Sequence, residues 1–287
     1  MLLDLNEETP VIVQGISGRM GQKHAALMQR YGTRIVGGTG RVKPGETSDF
    51  PVFADCAQAV RATGAVASIA LVPPAATLAA VAEAAEAGIA VIVTVAEGVP
   101  VHDALRIRAL ARSAGMHWLG ASTPGLCIPG RIKMGFLPDV SLKPGRIGIM
   151  SKSGTLSYEV GWRMAAIGLG QSAWIGVGGD PVKGTRFADL APGFASDPRT
   201  DAVVLVGEIG GNEEEEFADA WQALGSPKPV HALIAGAQAK EGISMGHAGA
   251  MIMGEQGSLL SKQRSLRAAG ARVYDTVQSL IDSLAAS

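Results

Sequence analysis

The side chain with the widest chemical capacity in this 287-residue chain is His247, carried in the stretch MGHAGAM at 245–251. Gly246, Ala248 and Gly249 put little bulk beside the ring, so the imidazole is presented on a loop. An imidazole is a nucleophile when one nitrogen keeps its lone pair, and a carboxylate bonded to the other nitrogen fixes the tautomer and stabilises a phosphorylated ring. Glu208, in GEIGGN at 207–212, is the carboxylate expected to do this, because it falls at the end of a strand, where open α/β sheets place their ligands. An uninvolved loop histidine and a solvated or helix-capping glutamate are the competing readings. A third element points the same way. The segment IMSKSGTLSYEV at 149–160 leaves a strand through Ser151, Ser153, Gly154 and Thr155 into a helix. Bare amides of a first helical turn can hold a phosphate without a lysine while Ser153 or Thr155 caps, although a plain N-cap would look the same.

A glycine loop in the first half has a different chemistry. VIVQGISGRMGQKH at 11–24 sets Gly15, Gly18 and Gly21 where a strand turns into a helix, so amides and helix dipole can receive a phosphate. The spacing is GxxGxxG rather than GxGxxG, and a tight turn alone would also use it. After the next strand an NAD site wants an acidic residue for the ribose, whereas this chain reads GGTGRVKPGE, with Arg41 and Lys43. Basic groups there favour a nucleotide with an extra phosphate, which both NADP and coenzyme A carry; solvated loop charges are the alternative. His24, His102, His117 and His231 stand in no metal-ligand spacing, and HExxH, HxxxH and CxxC are absent, so no metal site is expected. GxxxxGK[ST] is absent too.

Positioning these residues takes two α/β units. β-branched runs bounded by glycine alternate with Ala-rich stretches, the pattern of parallel sheets with right-handed crossovers. In the first half the pattern predicts strands over 11–15, 34–38, 67–72, 90–95 and 117–120, with a helix over 19–31. Residues 122–145, STPGLCIPGRIKMGFLPDVSLKPG, are rich in Pro and Gly without periodicity and are expected to link a first domain, 1–121, to a second, 146–287. The second domain is expected to hold strands over 146–150, 173–177, 202–207, 230–234 and 272–274. Its helices should start near Thr155, Thr185, Glu213, Ala250 and Leu259. The acids at 213–216 read as first-turn residues that favour a helix dipole.

Composition excludes several classes. Lys and Arg number 25 against 26 Asp and Glu, for a net charge of −1, so the basic footprint of a nucleic-acid binder is missing. Hydrophobic residues at 47% supply two cores, and a chain with only Cys56 and Cys127 has no disulfide framework. The acidic start MLLDLNEETP shows no signal-peptide pattern, and no apolar run reaches the length of a membrane span. A cytoplasmic protein is expected, with no nucleic-acid or membrane partner.

Taken in order, VIVQGISGRMGQKH, EGVP at 97–100, GIMSKSGTLSYEV, VGVGGDPVKGTRFADL, EIGGNEEEE and MGHAGAM resemble the α subunit of succinate–CoA ligase over nearly the whole chain. The resemblance implies a Rossmann-like CoA-binding domain followed by a flavodoxin-like domain with a histidine phosphorylated in turnover. It implies a β subunit of ATP-grasp fold, in an αβ or α2β2 assembly, that binds ATP or GTP with Mg²⁺. Carboxylate, CoA and nucleoside triphosphate would give an acyl-CoA through an acyl phosphate and a phosphohistidine. By the same resemblance Ser17, Gly18, Arg19 and Met20 wrap the CoA phosphates, Lys43 is the basic CoA contact, and Val95, Ala96 and Glu97 line the cofactor. His247 is the phosphorylated residue, Glu208 supports it, Ser153, Gly154 and Thr155 hold its phosphate, and Tyr158 lies near the substrate.

Three segments depart from the family pattern. GPNCPG near the CoA thiol is here GASTPG, with Ser122 and Thr123 for Asn and Cys; TPGKGG becomes TGRVKPGE; and Ser17 and Met20 replace Thr and Gln. Drift near the substrate with intact catalytic motifs leaves the acid open between succinate and a relative such as malate or another short carboxylate. A CoA-binding paralogue without ligase activity would not need His247 and Glu208. An NADP-dependent oxidoreductase finds no hydride-transfer site in the second half.

Overall fold

The structure, a computed structural model, describes residues 2–41, 48–237, 247, 250 and 257–286. It divides into two compact units, Met1–Phe136 with Val182–Gly184, and Leu137–Pro181 with Thr185–Ser287.

In the first unit the elements run β1 (Val11–Gln14), α1 (Arg19–Tyr31), β2 (Ile35–Thr39), β3 (Val52–Phe53), α2 (Cys56–Thr63), β4 (Ala67–Ala70), α3 (Thr77–Glu86), β5 (Val91–Thr94), α4 (Val101–Ser113) and β6 (His117–Gly120). The six strands pair in the order β3-β2-β1-β4-β5-β6, all parallel, which is the Rossmann-like order with its switch point between β1 and β4. β1, β4 and β5 are buried at every position, as strands covered by helices on both faces must be. Their polar side chains are hydrogen-bonded: Gln14 donates to the Ala80 carbonyl at 2.8 Å and accepts from the Ser68 hydroxyl at 2.9 Å, and Thr94 accepts from the Trp118 indole N–H at 2.8 Å. α1 stops at Gly32, whose φ of 115° suits glycine and lets its N–H close the last turn.

The Pro- and Gly-rich stretch expected as a linker is folded. It holds the antiparallel hairpin β7 (Gly125–Ile128) and β8 (Ile132–Gly135) and the start of the next strand. The hairpin packs under α1, where the Thr33 hydroxyl donates to the Lys133 carbonyl at 2.7 Å. Three glycines and a proline in so short a hairpin erase the alternation that would mark it in the sequence.

The second unit contributes β9 (Pro144–Ser151), α5 (Gly154–Ala166), β10 (Gln171–Gly176), α6 (Phe187–Ser196), β11 (Ala202–Glu208), α7 (Glu213–Ala223), β12 (Val230–Ala235), α8 (Leu259–Ala268), β13 (Arg272–Tyr274) and α9 (Val277–Ala285). Its five strands run β13-β12-β11-β9-β10, all parallel, the flavodoxin-like order with the switch point between β9 and β11. Side-chain caps set the helix starts: Ser153 for α5, Ser258 for α8 and Thr276 for α9. The helix expected near Ala250 falls largely outside the described residues. Among the described residues no helix is long and apolar enough to cross a membrane.

Candidate functional site

The switch point of the second sheet gathers the residues that read as a phosphoryl site. Ser151 ends β9 opposite Val206 of β11, two residues before Glu208 ends its own strand. The N–H of Lys152 donates to the Val206 carbonyl at 3.1 Å, and the N–H of Val177, just past β10, donates to the Ser151 carbonyl at 2.8 Å. Nδ1 of His247 lies 2.7 Å from Oε2 of Glu208. The glutamate side chain is 7% exposed and the histidine 25%, so one partner is anchored in the protein and the other reaches solvent. Gly246, Ala248 and Gly249 lie outside the described residues.

Gly179 was not foreseen as part of this arrangement. A Cβ built on it would stand 2.7 Å from both Cγ and Nδ1 of the His247 ring and 2.9 Å from Cδ2. The imidazole therefore occupies the space that a side chain at 179 would take. The signal was GGDP at 178–181, which carried family likeness but no physical role until the ring of His247 was seen against it.

Ser153 is the N-cap of α5, its Oγ accepting the Leu156 N–H at 3.3 Å, while its own N–H donates to Ser151 Oγ at 3.0 Å. The capping reading therefore holds for the hydroxyl. Anion-binding capacity belongs to Gly154 and exposed Thr155, which open the helix and whose amides have no intrahelical acceptor. Tyr158, one turn on, sets its ring edge-on to Trp174 at 6.2 Å, and burial pushes its phenol above the ordinary value.

The acids at 213–216 do fill the first turn of α7, yet the dipole reading missed one of them. Glu214 is fully buried, and burial alone would raise its pKa. Lys152 and Lys262 outweigh that and hold the carboxyl at about 2. Its place was legible: Glu214 is in helical phase with the buried Phe217, Ala218 and Trp221.

In the first unit the glycine loop lies at that sheet's own switch point. Gly18 is the N-cap of α1 with no side-chain cap bond, and no acid stands in the first turn. Gly21 packs so closely on the Gly15 carbonyl that a Cβ would overlap it, which brings the helix start down onto the strand end. Gly18, Arg19 and Met20 are exposed and Ser17 is half-buried. Ser17 Oγ accepts the Arg41 N–H at 3.1 Å, joining the loop after β2 to this one. Lys43 lies outside the described residues. Val95 and Ala96 are half-buried and Glu97 exposed just beyond β5, and the Ala96 carbonyl accepts the Ser122 N–H at 2.8 Å. Ser122 has a φ of 56°, whereas Thr123 is 3% exposed with its hydroxyl accepting the Gly125 N–H at 3.0 Å.

Known proteins resemble both halves. The family model described as CoA binding domain matches residues 6–98, and the one described as CoA-ligase matches residues 150–272. The chain is 43% identical over 286 residues to succinate–CoA ligase [ADP-forming] subunit alpha 2 of Archaeoglobus fulgidus, covering 99% of each chain. It is 39% identical over 278 residues to malate–CoA ligase subunit alpha of Methylorubrum extorquens, covering 95% of this chain and 94% of that one. A solved ATP citrate lyase from Methanothrix soehngenii, in complex with citrate and coenzyme A, superposes with a TM-score of 0.85 at 22% identity. That match covers 98% of this chain and 51% of the lyase, so this chain spans about half the larger protein and shares its fold.

Proposed function

The chain belongs to the alpha-subunit family of succinate–CoA ligases, the CoA-binding subunits of NDP-forming acid–thiol ligases, and from that premise we propose that it makes succinyl-CoA through a phosphohistidine at His247. The observation that carries this reading is the 2.7 Å contact between Nδ1 of His247 and Oε2 of Glu208 at the switch point of the second sheet. With Nδ1–H donating to the carboxylate, the ring's lone pair lies on Nε2, the atom that takes a phosphoryl group from the nucleoside triphosphate as NDP leaves. Glu208 then balances the charge of the substituted ring. His247 hands the phosphoryl group to the acid, giving an acyl phosphate. Attack of the CoA thiolate on the acyl carbon forms the thioester and releases inorganic phosphate. Gly154 and Thr155 steady the transferring group with amides and helix dipole, without a proton donor that would compete for Nε2.

In this reading residues 1–121 hold CoA. Uncapped α1, with Ser17, Gly18, Arg19 and Met20, receives its phosphates; Lys43 adds positive charge, and Val95, Ala96 and Glu97 line the path toward the thiol. The donor sets fit a phosphorylated nucleotide in one unit and a phosphoryl carrier in the other. ATP or GTP with Mg²⁺ is assigned to an ATP-grasp β subunit in an αβ or α2β2 assembly.

A second acid has a specific observation in its favour. Ser122 is bonded to Ala96 beside the cofactor-lining segment, and the malate–CoA ligase relative is nearly as similar as the succinate–CoA ligase one. Malate or another short carboxylate is therefore the alternative substrate, with Tyr158, Ser122 and Thr123 nearest the choice.

The test mixes the chain with its partner subunit, Mg²⁺ and γ-labelled ATP or GTP. Acid-labile, base-stable label on this chain, lost in His247→Ala, is expected. Absence of label from the unsubstituted chain while CoA still binds would replace the ligase with a non-catalytic CoA-binding role.

A further inference from the structure

The segments that carry the candidate phosphoryl site meet on one buried carboxylate. Oε1 of Glu214 accepts the backbone N–H of Glu208 at 3.0 Å and lies 3.0 Å from Nζ of Lys152, the residue between Ser151 and the α5 N-cap. Oε2 accepts from Lys152 at 3.2 Å and also from Lys262 of α8. Lys262 in turn donates to the Gly211 carbonyl and to Oε2 of Glu215, each at 3.0 Å. Thus β11 at Glu208, the turn into α5, and α8 meet at the Glu214 carboxylate. A Cβ on Gly207 would stand 2.5 Å from Oε1 of Glu214, so the strand beneath Glu208 is also shaped around it.

Burying such a cluster is costly, and apolar packing would hold the helices together at least as well. Lys152 is 4% exposed and Lys262 not at all. Burial pulls the Lys152 ammonium down, but Glu214, Glu213 and Glu208 together hold it above its ordinary value. Glu208 is therefore within electrostatic reach of a desolvated cation that Glu214 already satisfies. Take away the charge of Glu214, and Glu213 and Glu208 are left to balance Lys152, the Glu208 carboxylate in competition with His247.

We propose that Glu214 is a positioning residue for phosphoryl transfer: by matching Lys152 and Lys262 and fixing the Glu208 backbone, it keeps the Glu208 carboxylate on Nδ1 of His247. The proposal rests on the reading of His247 as the phosphorylated residue. Its role is exerted through Glu208, so it separates from a purely structural one by what happens to the ring rather than by loss of fold.

The experiment compares the unsubstituted chain, Glu214→Gln, and Lys152→Met/Glu214→Gln, each full length with its partner subunit. Glutamine keeps the size and the acceptor for the Glu208 N–H, while it removes the charge and puts an NH2 where Oε2 accepts from Lys152 and Lys262. Three quantities are read: the rate of label transfer to His247, the KM for CoA, and the His247 tautomer from ¹⁵N spectra. In Glu214→Gln the rate is expected to fall at least 30-fold and the ring to leave the Nδ1–H tautomer, with the KM for CoA within twofold. The double variant removes the stray cation and should recover to within about tenfold of the unsubstituted rate. A folded Glu214→Gln with unchanged tautomer and rate overturns the proposal. Should Glu214→Gln not fold, a folded double variant that stays at least 30-fold slow with its ring out of the Nδ1–H tautomer overturns it equally. Absence of label on the unsubstituted chain would sink the phosphohistidine reading instead, and the tautomer comparison would still decide whether Glu214 positions the ring.

Discussion

The imidazole of His247 fills the space that a side chain on Gly179 would need. Gly179 does not have a positive φ, so alanine fits its backbone, and the added methyl meets Cγ and Nδ1 of the ring at 2.7 Å. Gly179→Ala is therefore expected to lift the ring off Glu208 while leaving both folded units intact. Label transfer to His247 should drop tenfold or more, and the melting temperature should move by no more than about 4 °C, the shift for roughly 1 kcal/mol. A variant that melts normally and is labelled at the ordinary rate would show that the ring needs no contact with Gly179.

At the start of α1, stability and CoA binding are expected to move in opposite directions. Gly18 caps α1 without a side-chain bond, its φ of −76° suits any residue, and an added Cβ meets only the Gly15 carbonyl, at 3.3 Å. Aspartate is a better N-cap than glycine by a few tenths of a kcal/mol. It also puts a carboxylate on the amides that are read as the phosphate cradle. Gly18→Asp should melt at or slightly above the unsubstituted chain, yet bind CoA at least tenfold more weakly by calorimetry. Undiminished CoA affinity would move the phosphates away from this helix start.

Much of this arrangement was legible in the sequence, and the reasons for the rest are physical. Strands buried on both faces are continuous β-branched runs, so 11–15 and 90–95 stood out, and the helix over 19–31 was bounded by Gly18 and Gly32. Glu208 and His247 could be paired because strand ends and exposed imidazoles obey rules that need no coordinates. The hairpin at 125–135 was hidden, since its Gly and Pro residues imitate a linker. Glu214 was readable only by helical phase, which the run of four acids masked. Gly179 was beyond reach, because the ring that fills its side-chain space comes from 68 positions further along.

Acid should destabilise the chain in two stages. Burial, with Arg272 adding to it, holds His231 below its ordinary 6.5, and burial likewise lowers His24. The unfolded chain then takes up these protons first, so their contribution is whole above about pH 6.5 and lost as pH falls below it. Glu214 sits at about 2 in the folded chain against an ordinary 4.5, so what it contributes is present above about pH 4.5 and lost on the way down to 2. Melting curves should be level from pH 8 to 6.5, fall gently below that, and steepen under 4.5. His231→Gln should flatten the first stage, since it keeps a polar partner for Tyr274 without a titrating ring. A flat curve from pH 7 to 5 in the unsubstituted chain would contradict the histidine assignment.

The acid preference should follow the turn at 122–123. Ser122 holds a φ of 56°, a region where asparagine is more at ease than serine, so Ser122→Asn is expected to be tolerated or slightly stabilising. Thr123→Cys is less benign, because the threonine hydroxyl holds the Gly125 N–H at 3.0 Å and sulfur is a weaker acceptor. Ser122 is tied through its N–H to the Ala96 carbonyl, so a longer amide side chain there changes what lies beside the segment 95–97. A site built to bond a substrate hydroxyl discriminates strongly against an acid lacking it, whereas one without such a partner does so weakly. The ratio of kcat/KM for malate over succinate is therefore expected to shift at least tenfold in Ser122→Asn/Thr123→Cys, about 1.4 kcal/mol of relative transition-state stabilisation. An unchanged ratio in a variant that melts normally would remove both positions from the choice of acid and leave Tyr158 to be tested next.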